Sequence, residues 1–267
     1  MWKLQILGHY VKWLVTAKTR QGIHSPFVYS FLDNCLYKKS DRELFMTPEN
    51  QRSLLKKNTD LLQYIDPGAG SRILKTPSAE DSIRTVKVNQ IARTSLQKTG
   101  FCALFFRMIK YFNYKNILEL GTSLGVTTSY LSLANPDSRI DTIEGAAPVA
   151  QMAENYFKNE NFSNIHVHVG NFDDILQKVI DDKTYDMVII DGNHKGEKVL
   201  RYFQKLVKHT KKDGVIIIDD IRWSASMYNC WKQVMKHPQV NCTLDLFQLG
   251  LVFFKPGMVR QNFTIRF

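Results

Sequence analysis

Cysteine is scarce in this sequence. The 267 residues contain four cysteines, and no two of them form a CxxC pair or stand at the spacing of a zinc finger. Disulfide-stabilised secreted domains and structural zinc sites use such pairs. The scattered thiols therefore indicate a reducing compartment, and we expect a cytoplasmic protein.

Long apolar runs are also missing. No stretch approaches the roughly 18 apolar residues of a membrane-spanning helix. His9 and Lys12 interrupt the N-terminal segment, which lacks a small-residue cleavage site, so we expect no secretory signal. The composition, 44% hydrophobic and 23% charged, is typical of a globular protein, and the length suffices for one large domain or for a domain with an appendage.

Acidic residues are few in the first part of the chain. Residues 1–115 carry 19 Lys and Arg against 8 Asp and Glu, whereas residues 116–267 carry 17 of each, so the first part holds the whole net charge of +11. This asymmetry points to an anionic substrate, a nucleic acid or a lipid surface, or else to a solvated basic surface. Because the basic residues are dispersed and not interleaved with aromatic ones, a small-molecule acceptor is favoured over a nucleic acid or a membrane surface.

From Lys115 onward the chain alternates short β-rich runs with amphipathic segments. Strand, helix and strand in this order predict a parallel sheet with helices on both faces. The segment 242–256 has the pattern of two strands joined near Gly250, an antiparallel C-terminal hairpin at the sheet edge. The predicted fold is α/β, a Rossmann-like, doubly wound, mostly parallel seven-stranded sheet. Its five predicted parallel strands are 116–120, 139–144, 165–169, 185–191 and 214–219.

The N-terminal part has no convincing strand pattern. Helical spacing of apolar residues predicts four helical segments there, at 3–18, 25–37, 47–65 and 86–113. Residues 66–85 are rich in turn formers and long enough for a lid or a binding loop. We therefore predict a helical N-terminal cap with a lid loop over residues 1–85 and a catalytic domain over residues 86–267.

The carboxyl ends of the predicted parallel strands each carry a glycine, an acid or both. Ligands of doubly wound sheets bind at these ends. The stretch ILELGTSLG places Glu119 ahead of Gly121 and Gly125, where a helix begins. An acid there suits the ammonium of an amino-acid tail, while backbone N–H groups and the Thr127 hydroxyl can take its carboxylate. Glu144, at the end of the second strand, can accept both hydroxyls of a ribose.

This order of motifs resembles that of class I S-adenosylmethionine-dependent methyltransferases, in particular the small-molecule branch similar to catechol O-methyltransferase. The resemblance covers about residues 86–267 and rests on ELGTSLG, TIEG, VGNFDD, IIDGNH and IIIDDIRW. It implies S-adenosylmethionine (SAM) as the cofactor. The implied cofactor residues are Glu119, Gly121, Ser123, Gly125 and Thr127 for the methionine part, Glu144 and Gly145 for the ribose, Asn171 and Phe172 for the adenine, and Asp191 beside them.

Asp191, Asp219 and Asp220 follow the fourth and fifth strands, as the metal-binding acids of metal-dependent relatives do. Carboxylates gathered at neighbouring strand ends repel one another unless a cation or a proton is supplied. Oxygen ligands suit Mg²⁺ or Mn²⁺, which would orient an acceptor hydroxyl and lower its pKa. In the alternative, Lys195 or Arg222 neutralises the acids and no metal is needed.

The candidate catalytic residues follow the fourth strand. His194 stands where the catechol-type enzymes carry a lysine base, and histidine can serve as a base near neutral pH. Lys195 beside it leaves the identity of the base open, and Asp191 completes the candidate set.

The candidate acceptor-binding residues are Arg20, His24, Tyr29 and Trp223. The first three flank or lie within GIHSPFVYSFL, residues 22–32, where Ser25 and Pro26 predict a helix start. A helix that only docks by its hydrophobic face is the alternative for this segment.

Taken together, these features predict a methyltransferase that acts on an oxygen of a small molecule, anionic or neutral, with help from a divalent metal. One alternative is a metal-independent methyltransferase that reaches RNA or lipid through the basic cap. Another is a protein that binds the cofactor without catalysis. The oligomeric state is open, and a dimer is one option.

Overall fold

The structure is a computed structural model that describes residues 2–65 and 83–267, with side chains from residue 6 onward. Its helices are α1 (Trp2–Thr16), α2 (Pro26–Phe31), α3 (Met46–Leu55), α4 (Val88–Thr94), α5 (Thr99–Phe112), α6 (Val126–Ala134), α7 (Ala147–Asn159), α8 (Phe172–Ile180), α9 (Gly196–Val207) and α10 (Ala225–Val234). Its strands are β1 (Leu61–Ile65), β2 (Ile83–Lys87), β3 (Asn116–Leu120), β4 (Arg139–Glu144), β5 (Ile165–Val169), β6 (Tyr185–Ile190), β7 (Thr210–Ile218), β8 (Cys242–Asp245), β9 (Gly250–Phe253) and β10 (Gln261–Thr264). The fold is mixed α/β with a central, mostly parallel sheet of eight strands, which confirms the predicted fold class.

The described residues divide into two compact units. The central unit, Lys39–Asp182, contains β1 to β5 and α3 to α8. The split unit, Met1–Lys38 with Lys183–Phe267, contains β6 to β10 with α1, α2, α9 and α10. The predicted boundary between a cap and a catalytic domain at residue 85 stays a prediction.

In the central unit, β3, β4 and β5 are parallel neighbours, as predicted, with Leu118 opposite Asp141 and Ile143 opposite His168. All of β3 after its first residue is buried. Such runs form strands because β-branched and leucine side chains fill both covered faces of a parallel sheet. The carboxyl ends of the three strands meet at one edge, where the segments that lead into α6, α7 and α8 begin.

In the split unit, β6 and β7 are parallel, while β9 runs antiparallel to both β7 and β8. The predicted antiparallel hairpin around Gly250 is therefore confirmed, but its predicted place at the sheet edge is wrong, because β10 lies outside it. Gly250 is required there because a Cβ at this position would lie 2.5 Å from the ring of Trp231. An eighth strand, β10, pairs in parallel with β8 and was not among the seven predicted. Its four residues, Gln261–Thr264, are too few and too polar for a periodicity to show.

The predictions for the N-terminal helices are partly wrong. The helix predicted over 47–65 ends at Leu55, and residues 61–65 form β1, antiparallel to β2. The helix predicted over 86–113 begins in β2 and is interrupted between α4 and α5. Burial alternates along β2 with the two-residue period of a strand, whereas the two leucines that begin β1 are also compatible with a helix. Of the predicted lid loop, residues 66–82 lie outside the described residues.

The other two N-terminal helical predictions are confirmed. α1 covers most of 3–18, and α2 continues into a π-helical turn at Leu32–Leu36 to cover 25–37. The Ser25 hydroxyl caps α2 by accepting from Val28 N, and Pro26 occupies its first turn. Across the described residues, no helix combines the length and the apolar character that crossing a membrane requires.

Candidate functional site

The loop between β3 and α6 is built from left-handed residues. Gly121, Ser123 and Gly125 have φ values of 109°, 48° and 79°. A Cβ on Gly125 would lie 2.6 Å from Cζ of Phe157, so only glycine fits there. Ser123 adopts this conformation without the freedom of glycine, and such strain concentrates at functional sites. The loop directs the backbone N–H groups at the start of α6 toward the edge where the strands end, which suits an anionic group.

Glu144 is held by the same loop. One carboxylate oxygen accepts from Ser123 N at 2.8 Å, and the other accepts from Ala146 N at 2.9 Å. A carboxylate oxygen can accept more than one hydrogen bond. The backbone therefore fixes the carboxylate in an orientation that can accept two adjacent hydroxyls, as the ribose role of Glu144 and Gly145 requires. That role stays a prediction.

Glu119 is almost fully buried at the end of β3, with 1% of its surface exposed. One of its oxygens accepts from the hydroxyls of Thr128, at 2.6 Å, and Thr142, at 2.7 Å. Burial raises the pKa of Glu119 to about 7, the two hydroxyl bonds lower it, and the charge of Glu144 raises it further. Among the described residues, none of the groups that set this pKa is a cation. A ligand ammonium would stabilise the ionised carboxylate.

The end of β5 adjoins the same edge. Gly170, with φ of 153°, donates from its backbone N–H to the carbonyl of Glu144 at 2.9 Å. Asn171 caps α8 by accepting from Asp173 N at 3.1 Å, and Phe172 is buried behind it. The structure thus brings the predicted cofactor residues of the central unit together at the ends of three adjacent strands. Asp191, the remaining predicted cofactor residue, belongs to the split unit.

Strand ends of the split unit are also strained. Asn193 and His194 after β6 and Asp220 after β7 have φ values of 67°, 43° and 51°. His194 lies against the ring of Trp223, with ring centroids 5.4 Å apart. Burial lowers the pKa of His194, and the nearby charge of Asp220 opposes that shift. A neutral imidazole is the form that can accept a proton.

The three predicted metal ligands are not arranged as a metal site. Asp219 is buried, and its Oδ1 accepts from the backbone N–H of Asp220 at 2.7 Å and from the side chain of Gln248 at 3.3 Å. Within residues 2–65 and 83–267, no group of three or more His, Cys, Asp or Glu side chains is placed to hold a metal ion. In this conformation Asp191, Asp219 and Asp220 therefore do not fit a bound Mg²⁺ or Mn²⁺.

One alternative from the sequence was that Arg222 neutralises these acids. In the structure Arg222 pairs with a different carboxylate. Its guanidinium donates to both carboxylate oxygens of Asp245, at 2.7 and 2.6 Å. It also lies over the ring of Phe247, 4.9 Å from the centroid. Lys195, directly before α9, remains the candidate cation of that alternative.

The predicted acceptor-binding residues lie in the split unit. Arg20 forms an ion pair with Asp33, with Nε 2.5 Å from Oδ1. His24 and Tyr29 are exposed, and Trp223 is half-buried against His194. Their contribution to acceptor binding stays a prediction.

Comparison with known proteins agrees with this geometry. Residues 118–221 match a family model described as a methyltransferase domain. A probable caffeoyl-CoA O-methyltransferase from Dictyostelium discoideum is 24% identical over 151 residues, which cover 55% of this chain and 65% of that protein. The catechol O-methyltransferase of Niastella koreensis is 28% identical over 111 residues, which cover 40% of this chain and 49% of that protein. An O-methyltransferase from Bacillus cereus, solved in complex with SAH, superposes with a TM-score of 0.55 at 16% identity, covering 85% of this chain and 97% of that one.

Residues 118–221 therefore resemble a methyltransferase domain. The chain spans about half to two thirds of the length of these two curated relatives. The solved structure supports the fold alone, because its identity to this chain is low.

Several polar residues that support the methyltransferase domain were missed from the sequence. The Gln51 side chain on α3 donates to the carbonyl of Leu124 in the β3–α6 loop at 2.7 Å and accepts from the Ser129 hydroxyl at 3.2 Å. Gln51 is buried, with 3% of its surface exposed. A polar residue on a predicted helix is the only sequence signal that could have pointed to this contact.

Asn193 was also missed. Its side-chain nitrogen donates to the Tyr202 hydroxyl at 3.3 Å, but its Oδ1 is buried and has no hydrogen-bond donor among the residues that the structure describes. Buried acceptors without a donor are uncommon. In the sequence, Asn193 stands within the IIDGNH motif, and its position beside His194 could have made it a candidate.

The raised pKa of Glu119 predicts a pH-dependent stability of the methyltransferase domain. Between its ordinary value of 4.5 and about 7, the folded protein holds a proton on Glu119 that the unfolded chain has lost. Stability from this group is therefore present at low pH and is lost as the pH rises to 7. We expect the free energy of unfolding to fall by about 2.5 kcal/mol between pH 5 and pH 8, measured by urea unfolding without cofactor.

Glu119→Gln should remove this pH dependence of the free energy of unfolding, because glutamine keeps the shape of the side chain and does not titrate. The matched control Glu160→Gln, at an exposed position of the same unit, should keep the wild-type slope. If Glu119→Gln and wild type lose the same stability between pH 5 and pH 8, Glu119 does not titrate in this range and its predicted neutral form is wrong.

Proposed function

We propose that the chain binds SAM at the ends of β3, β4 and β5 and transfers its methyl group to an oxygen of a small molecule. The observation that carries this proposal is the carboxylate of Glu144, which two backbone N–H groups fix in an orientation suited to a ribose. The names of the relatives, O-methyltransferases for caffeoyl-CoA and catechol, support oxygen as the acceptor atom.

The residues of the central unit bind and orient the cofactor. Glu144 accepts the ribose hydroxyls, and the N–H groups at the start of α6, with the Thr127 hydroxyl, take the carboxylate of the amino-acid tail. Glu119 faces the ammonium, which would compensate the cost of burying an ionised carboxylate. Asn171 and Phe172 border the adenine.

Bound SAM supplies an electrophilic methyl group on a positively charged sulfur. The acceptor hydroxyl loses its proton to Nε2 or Nδ1 of His194, and the oxygen forms a bond to the methyl carbon as the bond from that carbon to sulfur breaks. The products are the methyl ether, S-adenosylhomocysteine (SAH) and a protonated His194, which releases its proton to solvent. The chain contributes mainly by orienting the two reactants.

The sequence predicts that Mg²⁺ or Mn²⁺ assists this step. We propose His194 as an unaided base, because Asp219 directs an oxygen to a backbone N–H and to Gln248. Asp191, Asp219 and Asp220 would have to rearrange to hold a divalent ion together, because the described residues place no group of three such side chains around a metal position.

A methyl-transfer assay tests the proposed function. The full chain is incubated with methyl-labelled SAM and, separately, with catechols, hydroxylated aromatic thioesters, RNA and phospholipid vesicles. We expect label to appear in a hydroxylated small molecule and to be lost in Glu144→Ala. Transfer of label only to RNA or to lipid would contradict the proposal that the acceptor is a small molecule. If SAH binds but no acceptor in the assay receives label, the result would contradict the proposed methyltransferase activity.

A further inference from the structure

Helix α1 has an apolar face that contacts no other part of the described chain closely enough to be covered. Leu7, Val11, Leu14 and Val15 follow one another at helical spacing and have exposed fractions of 60%, 52%, 36% and 80%. Residues at this spacing share one side of a helix. Four exposed aliphatic side chains on one stripe indicate an interaction surface for another molecule or a membrane. We refer to these four residues as the α1 stripe.

The other side of α1 anchors the helix to the split unit. Trp13 is buried, packs edge-on against Phe247 with ring centroids 5.5 Å apart, and donates from its indole N–H to the carbonyl of Asp245 at 3.3 Å. His9 packs edge-on against Tyr228 at 4.5 Å. Because these contacts hold the helix, the α1 stripe is not needed for its attachment.

The surroundings of the α1 stripe are cationic. Residues 1–32 contain no Asp or Glu. Lys12 and Lys18 are exposed, and the Arg266 guanidinium donates to the carbonyl of Leu14 at 3.0 Å. We refer to these three cations as the basic rim.

We propose that α1 binds flat to an anionic membrane surface, with the α1 stripe in the boundary between headgroups and acyl chains and the basic rim at the headgroups. An apolar stripe flanked by lysine and arginine is the pattern of interfacial helices, and anionic lipids attract clustered cations. A second copy of this chain is a poorer occupant, because pairing through α1 would bring two basic rims together. A nucleic acid would contact the cations but leave the aliphatic stripe exposed, since its bases stack on aromatic side chains.

Vesicle sedimentation tests this proposal. The full chain is mixed at low salt with vesicles of phosphatidylcholine alone or of equal parts phosphatidylcholine and phosphatidylglycerol. We expect binding to the anionic vesicles only, weakening as salt is added. Val11→Ser with Val15→Ser should weaken binding at least tenfold, because two apolar side chains no longer gain from leaving water. The control Val259→Ser, at an exposed valine of the same unit, should bind as wild type does.

Lys12→Glu with Lys18→Glu provides a second variant that leaves the apolar stripe unchanged and should also weaken binding at least tenfold. The proposal is overturned if wild type does not sediment with anionic vesicles at low salt, or if neither double variant weakens binding. It is also overturned if light scattering shows a wild-type dimer that Val11→Ser with Val15→Ser converts to a monomer, since the stripe would then bind a second copy.

Discussion

Glu144→Gln should weaken binding of SAH at least a hundredfold. In the proposed complex the ionised carboxylate accepts from both ribose hydroxyls, and glutamine replaces one of its two acceptor oxygens by a donor. Hydrogen bonds to a charged group contribute about 1.5–3 kcal/mol each, and about 2.8 kcal/mol corresponds to a hundredfold change in Kd. The same substitution weakens the contact with Ser123 N or Ala146 N, which adds to the loss. Isothermal titration of SAH into the purified chain measures the effect.

Glu160→Gln is the matched control, because Glu160 is an exposed glutamate of the same unit and should leave the affinity unchanged. Thermal unfolding shows whether Glu144→Gln loses only a ligand contact or destabilises the fold. Without ligand, the midpoint of Glu144→Gln should stay close to that of wild type. SAH should raise the midpoint of Glu144→Gln far less than it raises that of wild type. Equal affinities for SAH in Glu144→Gln and wild type would contradict the assignment of the ribose to Glu144.

His194→Gln should lower kcat by about two to four orders of magnitude while leaving the affinity for SAH unchanged. Glutamine keeps a polar side chain near Trp223 but cannot accept the proton of the acceptor hydroxyl, and general base catalysis contributes on this scale. His237→Gln is the control, since His237 belongs to the same unit and packs against Phe203. Activity of wild type should withstand EDTA.

Loss of activity in EDTA, restored by Mg²⁺ or Mn²⁺, would contradict the unaided base and favour the metal predicted from the sequence. Asp219→Asn separates the two mechanisms further. If a metal binds there, this substitution removes ligand charge and should lower kcat sharply without destabilising the fold. If His194 acts alone, asparagine still accepts from Asp220 N and kcat should change little.

β3, β6 and the second half of β7 could be predicted because they are mostly apolar and buried. β4 and β5 contain charged residues or histidines, and they could be predicted from their place in the alternation of strands and helices. β1, β2 and β10 could not be predicted in the same way, because their exposed and polar residues leave little apolar contrast. Their pairing depends on a partner elsewhere in the chain.

The strand-end positions of the predicted cofactor residues in the central unit could be predicted, because motif order and strand ends coincide. The residues that form hydrogen bonds to the cofactor residues and to their loop could not be predicted. Thr142 reaches Glu119 from 23 positions away, and Gln51 reaches Leu124 from 73 positions away. These hydrogen bonds depend on how α3, α6 and β4 pack, and local sequence patterns carry no information on such distances.

Arg222 shows why partners in the split unit also escaped prediction. In the sequence it stands two residues after Asp220 and offers a cation to the acids of the strand ends. In the structure its guanidinium is bound bidentately by Asp245, 23 residues further along. Only the return of β8 beside β9 brings this second carboxylate within reach.

A crystal structure of the full chain with SAH tests the central claim most directly. We expect SAH at the ends of β3, β4 and β5, with both ribose hydroxyls within hydrogen-bond distance of the Glu144 carboxylate and the amino-acid tail between Glu119 and the first turn of α6. SAH bound elsewhere, or bound at this edge with its ribose away from Glu144, would contradict it.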